Sequence, residues 1–200
     1  PWLTVPFGQA TFDAEGLEAP GRFFSRAIHW PGGASGVTIG RGYDMGGRTQ
    51  AQIKRELTLA GVDPEGAALL SRAAGLRGEA AREFFERERC SAPTLSLTAQ
   101  SELFQRVTMP ETVRDIERIL AKRDVVATYG SISWSELPTP VQEVLFDLRY
   151  RGVYTPGTRE FLQPLLVSRD WNGLAGALQD QSVWRARGVP QGRIAARSAM

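Results

Sequence analysis

The sequence has one cysteine, one histidine and no long apolar run, and each shortage excludes a class of protein. Cys90 cannot form an internal disulfide, and together with His29 it is too little to build a structural zinc site. No stretch approaches the roughly 20 apolar residues of a membrane-spanning helix. Serine-nucleophile, P-loop and H-E-x-x-H motifs do not occur either. We therefore expect no metal, no cofactor and no membrane partner.

Lysine is also scarce, because all but two of the 24 basic residues are arginine. These arginines are scattered and balanced by 22 acidic residues, which leaves a net charge of +2 and no basic stripe. This distribution disfavours nucleic acid as a partner. Two hundred residues with 42% apolar content fit one globular domain. The first residue is Pro1, so we expect the C-terminal part of a longer protein.

Local patterns predict an α+β fold with a small β-containing lobe over residues 1–47 packed on a helical lobe over 48–200. Phe23 and Phe24 and then residues 27–30 favour extended chain, with a turn at 31–33 and a returning strand at 36–40. A short helix is predicted over Ala10 to Leu17. The remainder has the capping residues of successive short helices, including a core helix that begins at Thr139 and ends by Gly152. Caps at Thr98 and Thr108 predict a sharp corner between two helices.

Two carboxylates stand out by their neighbours. Glu15 lies at the end of the predicted apolar helix, and Asp44 lies in a glycine-rich segment. Cleavage of a glycosidic bond needs one protonated carboxyl and one ionised carboxylate in different environments. Taken singly, a glutamate before glycine is typical of a helix end, and an aspartate in a glycine-rich loop is typical of a turn.

The combination resembles the active-site pattern of pesticin-type muramidases, bacterial toxins related in fold to the lysozymes of T-even phages. Thr38 follows Glu15 by 23 residues, and Asp44 follows Thr38 by six. The match is densest over residues 12–47, with I-H-W-P-G-G at 28–33 and G-V-T-I-G-R-G-Y-D-M-G at 36–46. A weaker similarity at 189–194 matches the start of the last helix of the phage enzymes. The resemblance implies a lysozyme-like fold.

Carried over residue by residue, the resemblance implies Glu15 as general acid, Asp44 as the carboxylate that activates water, and Thr38 as a hydroxyl that orients this water. Inversion at the anomeric carbon is expected by analogy with the phage enzymes. In those enzymes the acidic residue precedes the threonine, so the assignment of Asp44 rests on the toxin branch. Glu18, three residues after Glu15, is the competing candidate for the acid.

The surroundings of these residues supply further candidates. Tyr43, Trp30 and Arg41 flank them and could line a sugar-binding groove, since aromatic faces stack on pyranose rings and a guanidinium binds carboxylates. Arg193 is expected to pair with Glu15, as the corresponding arginine does in phage lysozymes. His29 is expected to be structural.

The resemblance therefore implies an N-acetylmuramidase that cleaves the β-1,4 bond between N-acetylmuramic acid and N-acetylglucosamine in peptidoglycan. Its expected partners are glycan strands and a cognate immunity protein, with the domain itself a monomer. As an antibacterial toxin, for example a type VI effector, it would be made in the bacterial cytoplasm and act in the periplasm of a target cell. A phage endolysin, a lytic transglycosylase and a non-catalytic peptidoglycan-binding module are the alternatives.

Overall fold

The computed structural model describes residues 3–21 and 24–198, and helices make up most of this part of the chain. The chain divides into two compact units. The first unit comprises the described residues up to Pro6 together with Glu15–Pro110, and the second comprises Phe7–Ala14 with the residues from Glu111 onward. This division differs from the predicted lobe boundary at 47/48, because residues 48–110 belong to the same unit as residues 15–47. The helices are α1 Gln9–Ala14, α2 Gln50–Leu59, α3 Pro64–Ser71, α4 Gly78–Glu88, α5 Leu97–Leu103, α6 Met109–Leu120, α7 Arg123–Tyr129, α8 Thr139–Tyr150, α9 Pro156–Ser168, α10 Trp171–Gln179, α11 Gln181–Arg185 and α12 Gln191–Ser198.

In the first unit a short antiparallel hairpin carries the candidate residues. Strands β1 Thr38–Ile39 and β2 Tyr43–Asp44 pair Thr38 with Asp44 and Ile39 with Tyr43. Gly40 and Gly42 have φ angles of +63° and +87°, which glycine adopts without the steric cost of a Cβ. Where a hairpin between 27–30 and 36–40 is predicted, the structure has one isolated antiparallel bridge, between His29 and Thr38. The predicted extended residue Phe23 lies outside the described residues.

Helices α2 and α3 of the first unit start at side-chain caps. Thr49 and Gln52 form the capping box of α2, and the Asp63 side chain caps α3 ahead of Pro64. The α3 helix ends at Ser71. The buried core of this unit joins the hairpin to α2 and α3; its members include Ile39, Tyr43, Met45, Ile53, Leu57 and Leu70.

The predicted corner at Thr108 is wrong, because the chain stays helical from Leu97 to Leu120. A π-helical stretch, Phe104–Thr108, links α5 to α6. The Thr108 hydroxyl donates to the Phe104 carbonyl at 3.1 Å, so it bonds within the helix and does not cap a new one. Pro110 lacks the N–H that a regular helix would use, and a π-bulge is one way to accommodate such a break. Similarly, α5 begins after Ser96, whose side chain accepts from the Ala99 N–H, and not after Thr98.

In the second unit α8 is the central helix, as its apolar spacing predicts. Six of its residues are buried; they are Val141, Val144, Leu145, Phe146, Asp147 and Leu148. The Asp147 carboxylate accepts from the Thr11 hydroxyl at 3.0 Å, from Arg193 at 2.6 Å and from Arg197. Burial raises the pKa of Asp147, but the two guanidiniums outweigh it and hold the carboxyl ionised. Asp147 thus ties α1, α8 and α12 together.

No helix among the described residues is long and apolar enough to span a membrane, as expected from the sequence.

Candidate functional site

The candidate site lies in the first unit and is centred on the Thr38–Asp44 pair. Met45 N–H donates to the Val37 carbonyl at 2.9 Å, so 37–45 is a hydrogen-bonded pair of the ladder. Thr38 and Asp44 are therefore the intervening pair, whose side chains stand close together on one face. Thr38 is 5% exposed, and Asp44 is half-buried. The register of two short strands has placed a hydroxyl beside a carboxylate.

Backbone donors hold the Asp44 carboxylate. One oxygen accepts from the Gly46 N–H at 2.6 Å and the other from the Gly36 N–H at 3.2 Å. These two bonds fix the orientation of the carboxylate. The Thr38 hydroxyl donates to the Gly36 carbonyl at 3.3 Å, so its oxygen lone pairs are left to accept from another donor. A water molecule could donate to both Thr38 and Asp44.

Gly36 is the residue that makes this arrangement possible. A Cβ at position 36 would overlap an Asp44 carboxylate oxygen and come within 2.5 Å of the Gly46 nitrogen and 2.7 Å of its Cα. Only glycine leaves the space in which the carboxylate binds both N–H groups. In the sequence Gly36 is one of several glycines in a glycine-rich run, and nothing in that run predicts its contact with Asp44.

Glu15 follows α1 directly and is half-buried. The predicted helix to Leu17 ends earlier, at Ala14, because Leu17 pairs with Ser25 and not with the preceding turn. Leu17 N–H donates to the Ser25 hydroxyl at 2.6 Å, and Ser25 N–H donates to the Leu17 carbonyl at 2.9 Å. A Cβ on Gly16 would overlap the Arg41 guanidinium. The segment after Glu15 is thereby packed against the turn between β1 and β2.

Glu18 is the centre of an ion cluster. It accepts from the Arg26 Nε at 2.9 Å, the Arg41 Nη2 at 2.9 Å and the Gln100 Nε2 at 2.7 Å. Burial raises the pKa of Glu18, but the donated hydrogen bonds outweigh this effect and hold the pKa below its ordinary value. A carboxyl held ionised in this way is a poor general acid near neutral pH. Its contacts give Glu18 the role of holding this segment to the turn at Arg41 and to α5.

The Glu18 cluster predicts a pH dependence of stability. Because the pKa is lowered in the folded protein, the ionised carboxylate stabilises the fold above its unfolded-state pKa, and this contribution is lost as pH falls through the folded-state value. We expect Glu18→Gln to lower the free energy of unfolding at pH 7 and to differ much less from the wild type at pH 3. Urea unfolding of both proteins at the two pH values measures this. An equal difference at pH 3 and pH 7 would contradict the ionised cluster.

Two of the three predicted sugar-binding residues are placed where they cannot act as expected. The Tyr43 ring has no exposed area, and its hydroxyl donates to Glu56 at 2.7 Å. A ring enclosed in the core cannot stack on a sugar. Arg41 is 7% exposed and pairs with Glu18, so its guanidinium serves the ion cluster. Neither burial is evident from the sequence, because Tyr43 lies in a two-residue strand and Arg41 in the turn before it, where no period shows which side chains face the core.

Trp30 is half-buried, packs against the core of the first unit and donates its indole N–H to the Ser35 carbonyl at 3.3 Å. Its role in a groove stays a prediction. Arg193 donates to Asp147 through Nε at 2.9 Å and Nη2 at 2.6 Å, within the second unit. The predicted pairing of Arg193 with Glu15, which belongs to the other unit, also stays a prediction.

Across residues 3–21 and 24–198, no cluster of three or more histidine, cysteine, aspartate or glutamate side chains could hold a metal ion. Cys90 is a free, exposed thiol. Around the Thr38–Asp44 pair the described side chains offer a carboxylate, a hydroxyl and, on the neighbouring segment, the imidazole of His29.

Residues 8–198 match a family described as a domain of unknown function, DUF8812. This match covers nearly the whole sequence. The chain belongs to the DUF8812 family. None of the curated proteins matches it. The description of this family names no activity.

Proposed function

We propose that this DUF8812 domain is an inverting N-acetylmuramidase that hydrolyses the β-1,4 bond between N-acetylmuramic acid and N-acetylglucosamine. The observation that carries the proposal is the Thr38–Asp44 pair, in which two backbone N–H groups hold a carboxylate beside a hydroxyl with free lone pairs. This is the kind of group that positions and deprotonates an attacking water.

In the proposed reaction Glu15 donates its proton to the glycosidic oxygen as the bond to the anomeric carbon breaks. Asp44 takes a proton from water, whose oxygen attacks the anomeric carbon from the opposite face while the Thr38 hydroxyl accepts a hydrogen bond from the water's other O–H. The sugar leaves as a hemiacetal of inverted configuration. Asp44 then releases its proton to solvent, and Glu15 takes up a proton from solvent. An inverting enzyme holds its two carboxyl groups about 6.5–9.5 Å apart to admit this water.

The assignment of Glu15 is supported by the contacts of Glu18, the competing candidate. Two guanidiniums and an amide bind Glu18 and hold its carboxyl ionised, which makes it a poor acid, and Glu15 lies three residues before it on the same segment. Gly16 packs against Arg41, which lies in the turn that connects Thr38 and Asp44 along the chain. Arg41 therefore connects the segment that carries Glu15 to the hairpin that carries Asp44.

The resemblance to toxin domains supports an antibacterial role in the same proposal. The domain would act on the cell wall of a target bacterium, with glycan strands as substrate and an immunity protein that protects the producing cell. A lysozyme-like arrangement of the fold is part of this proposal.

Product analysis tests the proposed activity. Purified peptidoglycan is digested, the products are reduced with borohydride, and the muropeptides are identified by mass spectrometry. We expect chains that end in reduced N-acetylmuramic acid. Products that end in 1,6-anhydro sugar would indicate a transglycosylase, products that end in reduced N-acetylglucosamine would indicate a glucosaminidase, and no release would indicate a binding module.

A further inference from the structure

His29 is joined to the candidate site by the sheet. Its N–H donates to the Thr38 carbonyl at 2.8 Å, and its carbonyl accepts from the Thr38 N–H at 2.9 Å. Partners in such an antiparallel pair point their side chains to the same face. Thr38 has Asp44 as its partner on the other side. The side chains of His29, Thr38 and Asp44 thus form a row across three chain segments.

The chemistry of the imidazole follows from its contacts. The Nδ1 atom lies 3.2 Å from the Ala27 carbonyl oxygen. A carbonyl only accepts, so Nδ1 carries the hydrogen, and in a neutral ring Nε2 is then an acceptor. Burial lowers the pKa of His29 and outweighs the opposite effect of the Ala27 carbonyl, which keeps the ring neutral at pH 7. Within the part of the chain that the structure describes, Nε2 has no hydrogen-bond partner.

The row also sets the distance between His29 and the carboxylate. Adjacent antiparallel pairs have Cα separations of about 5.5 Å and 4.5 Å, so His29 stands roughly 10 Å from Asp44. Thr38 stands between them, so His29 is one position removed from the water at Asp44. This place suits a group that binds the glycan beside the bond being cleaved. His29 is half-buried, so the residue is partly accessible.

From this arrangement we infer that His29 is a glycan-binding residue whose Nε2 accepts a hydrogen bond from the substrate. The donor is a hydroxyl or an acetamido N–H of the sugar. This inference rests on the proposed function for the identity of the glycan. It assigns to the single histidine a role that its position in the sequence does not indicate, because a lone histidine in a strand is typical of a structural residue.

Two substitutions at position 29 distinguish a glycan-binding role of His29 from a structural one. Asparagine can keep the donor that faces the Ala27 carbonyl but has no acceptor at the position of Nε2, whereas the longer glutamine side chain can place an amide oxygen there. The measurement is calorimetric binding of a peptidoglycan tetrasaccharide in a Glu15→Gln background, so that no turnover is needed. We expect His29→Asn to raise Kd about three- to tenfold, the effect of one lost hydrogen bond, and His29→Gln to stay within about twofold of the parent.

Equal affinities in all three proteins, or no binding by any of them, would overturn the inference. Because the binding assay needs no cleavage, this failure is distinct from the absence of hydrolysis products with the wild type. If hydrolysis occurs, His29→Asn should raise KM and leave kcat nearly unchanged, the pattern of a contact that binds substrate and transition state equally.

A second readout avoids substitution at position 29. His29 is the only histidine in the sequence, so [15N]histidine labelling reports on one imidazole. We expect the Nε2 resonance of the Glu15→Gln protein to shift on saturation with glycan, with Nδ1 less affected. An unchanged Nε2 resonance in glycan-saturated protein would contradict the proposed contact.

Discussion

Glu15→Gln is expected to lower the rate of peptidoglycan hydrolysis by two to four orders of magnitude, the range that general acid catalysis contributes. Glutamine keeps the size and hydrogen-bonding capacity of the side chain but cannot donate a carboxyl proton to the glycosidic oxygen. Glu15 is half-buried at the end of a short helix, so we expect the fold to persist. Turbidity loss of purified cell walls measures the rate, and circular dichroism measures the fold.

Asp13→Asn provides the matched control. Asp13 is an exposed carboxylate two residues before Glu15, and it accepts a hydrogen bond from the Gln9 side chain at 3.0 Å. The substitution removes the same charge from the same short helix and should leave the rate within about twofold, as is usual for a surface change. Equal activities of Glu15→Gln and wild type would refute the assignment of the acid.

Gly36→Ala is expected to reduce both activity and stability. The added Cβ would overlap the Asp44 carboxylate and crowd the backbone at Gly46, where no flexible side chain can move aside. Overpacking of this kind costs about 1–3 kcal/mol of unfolding free energy. Displacing a catalytic group by about 1 Å can cost roughly a hundredfold in rate. Urea unfolding and cell-wall digestion under conditions where the variant is folded measure the two effects separately.

Gly21→Ala serves as the control for this substitution. Gly21 is an exposed glycine of the same unit, and a Cβ there would meet no atom of the described residues within 4 Å, its chain neighbours aside. Its φ lies outside the left-handed region, so alanine is sterically tolerated. We expect wild-type activity and stability. Full activity of Gly36→Ala would show that the carboxylate geometry at Asp44 is not required for the reaction.

Much of the fold follows from local chemistry in the sequence. The caps at Thr49 and Asp63 and the apolar spacing after Thr139 predict α2, α3 and α8, because a cap or an amphipathic stripe depends on residues close in the chain. The predicted corner at Thr108 fails for the opposite reason. A threonine before a proline is typical of a cap, but its hydroxyl can also bond back within a helix, and the surrounding packing decides between the two.

The candidate site was less predictable in its details. The spacing of Glu15, Thr38 and Asp44 identifies three residues, and the hairpin brings two of them into one cross-strand pair. The burial of Tyr43 depends on which face of a two-residue strand meets the core, which no period reveals over so few residues. The helices α7 and α11, of seven and five residues, escaped prediction because such short segments carry too few periodic positions.

The measurement that tests the central claim most directly is NMR of the first sugar released. A soluble peptidoglycan glycan is mixed with the wild-type domain, and the anomeric protons of the new reducing end are followed before the anomers equilibrate. A base at Asp44 that directs water to the face opposite the leaving group predicts the α-anomer of N-acetylmuramic acid first. The β-anomer first, or no new reducing end from a folded protein, would contradict the account.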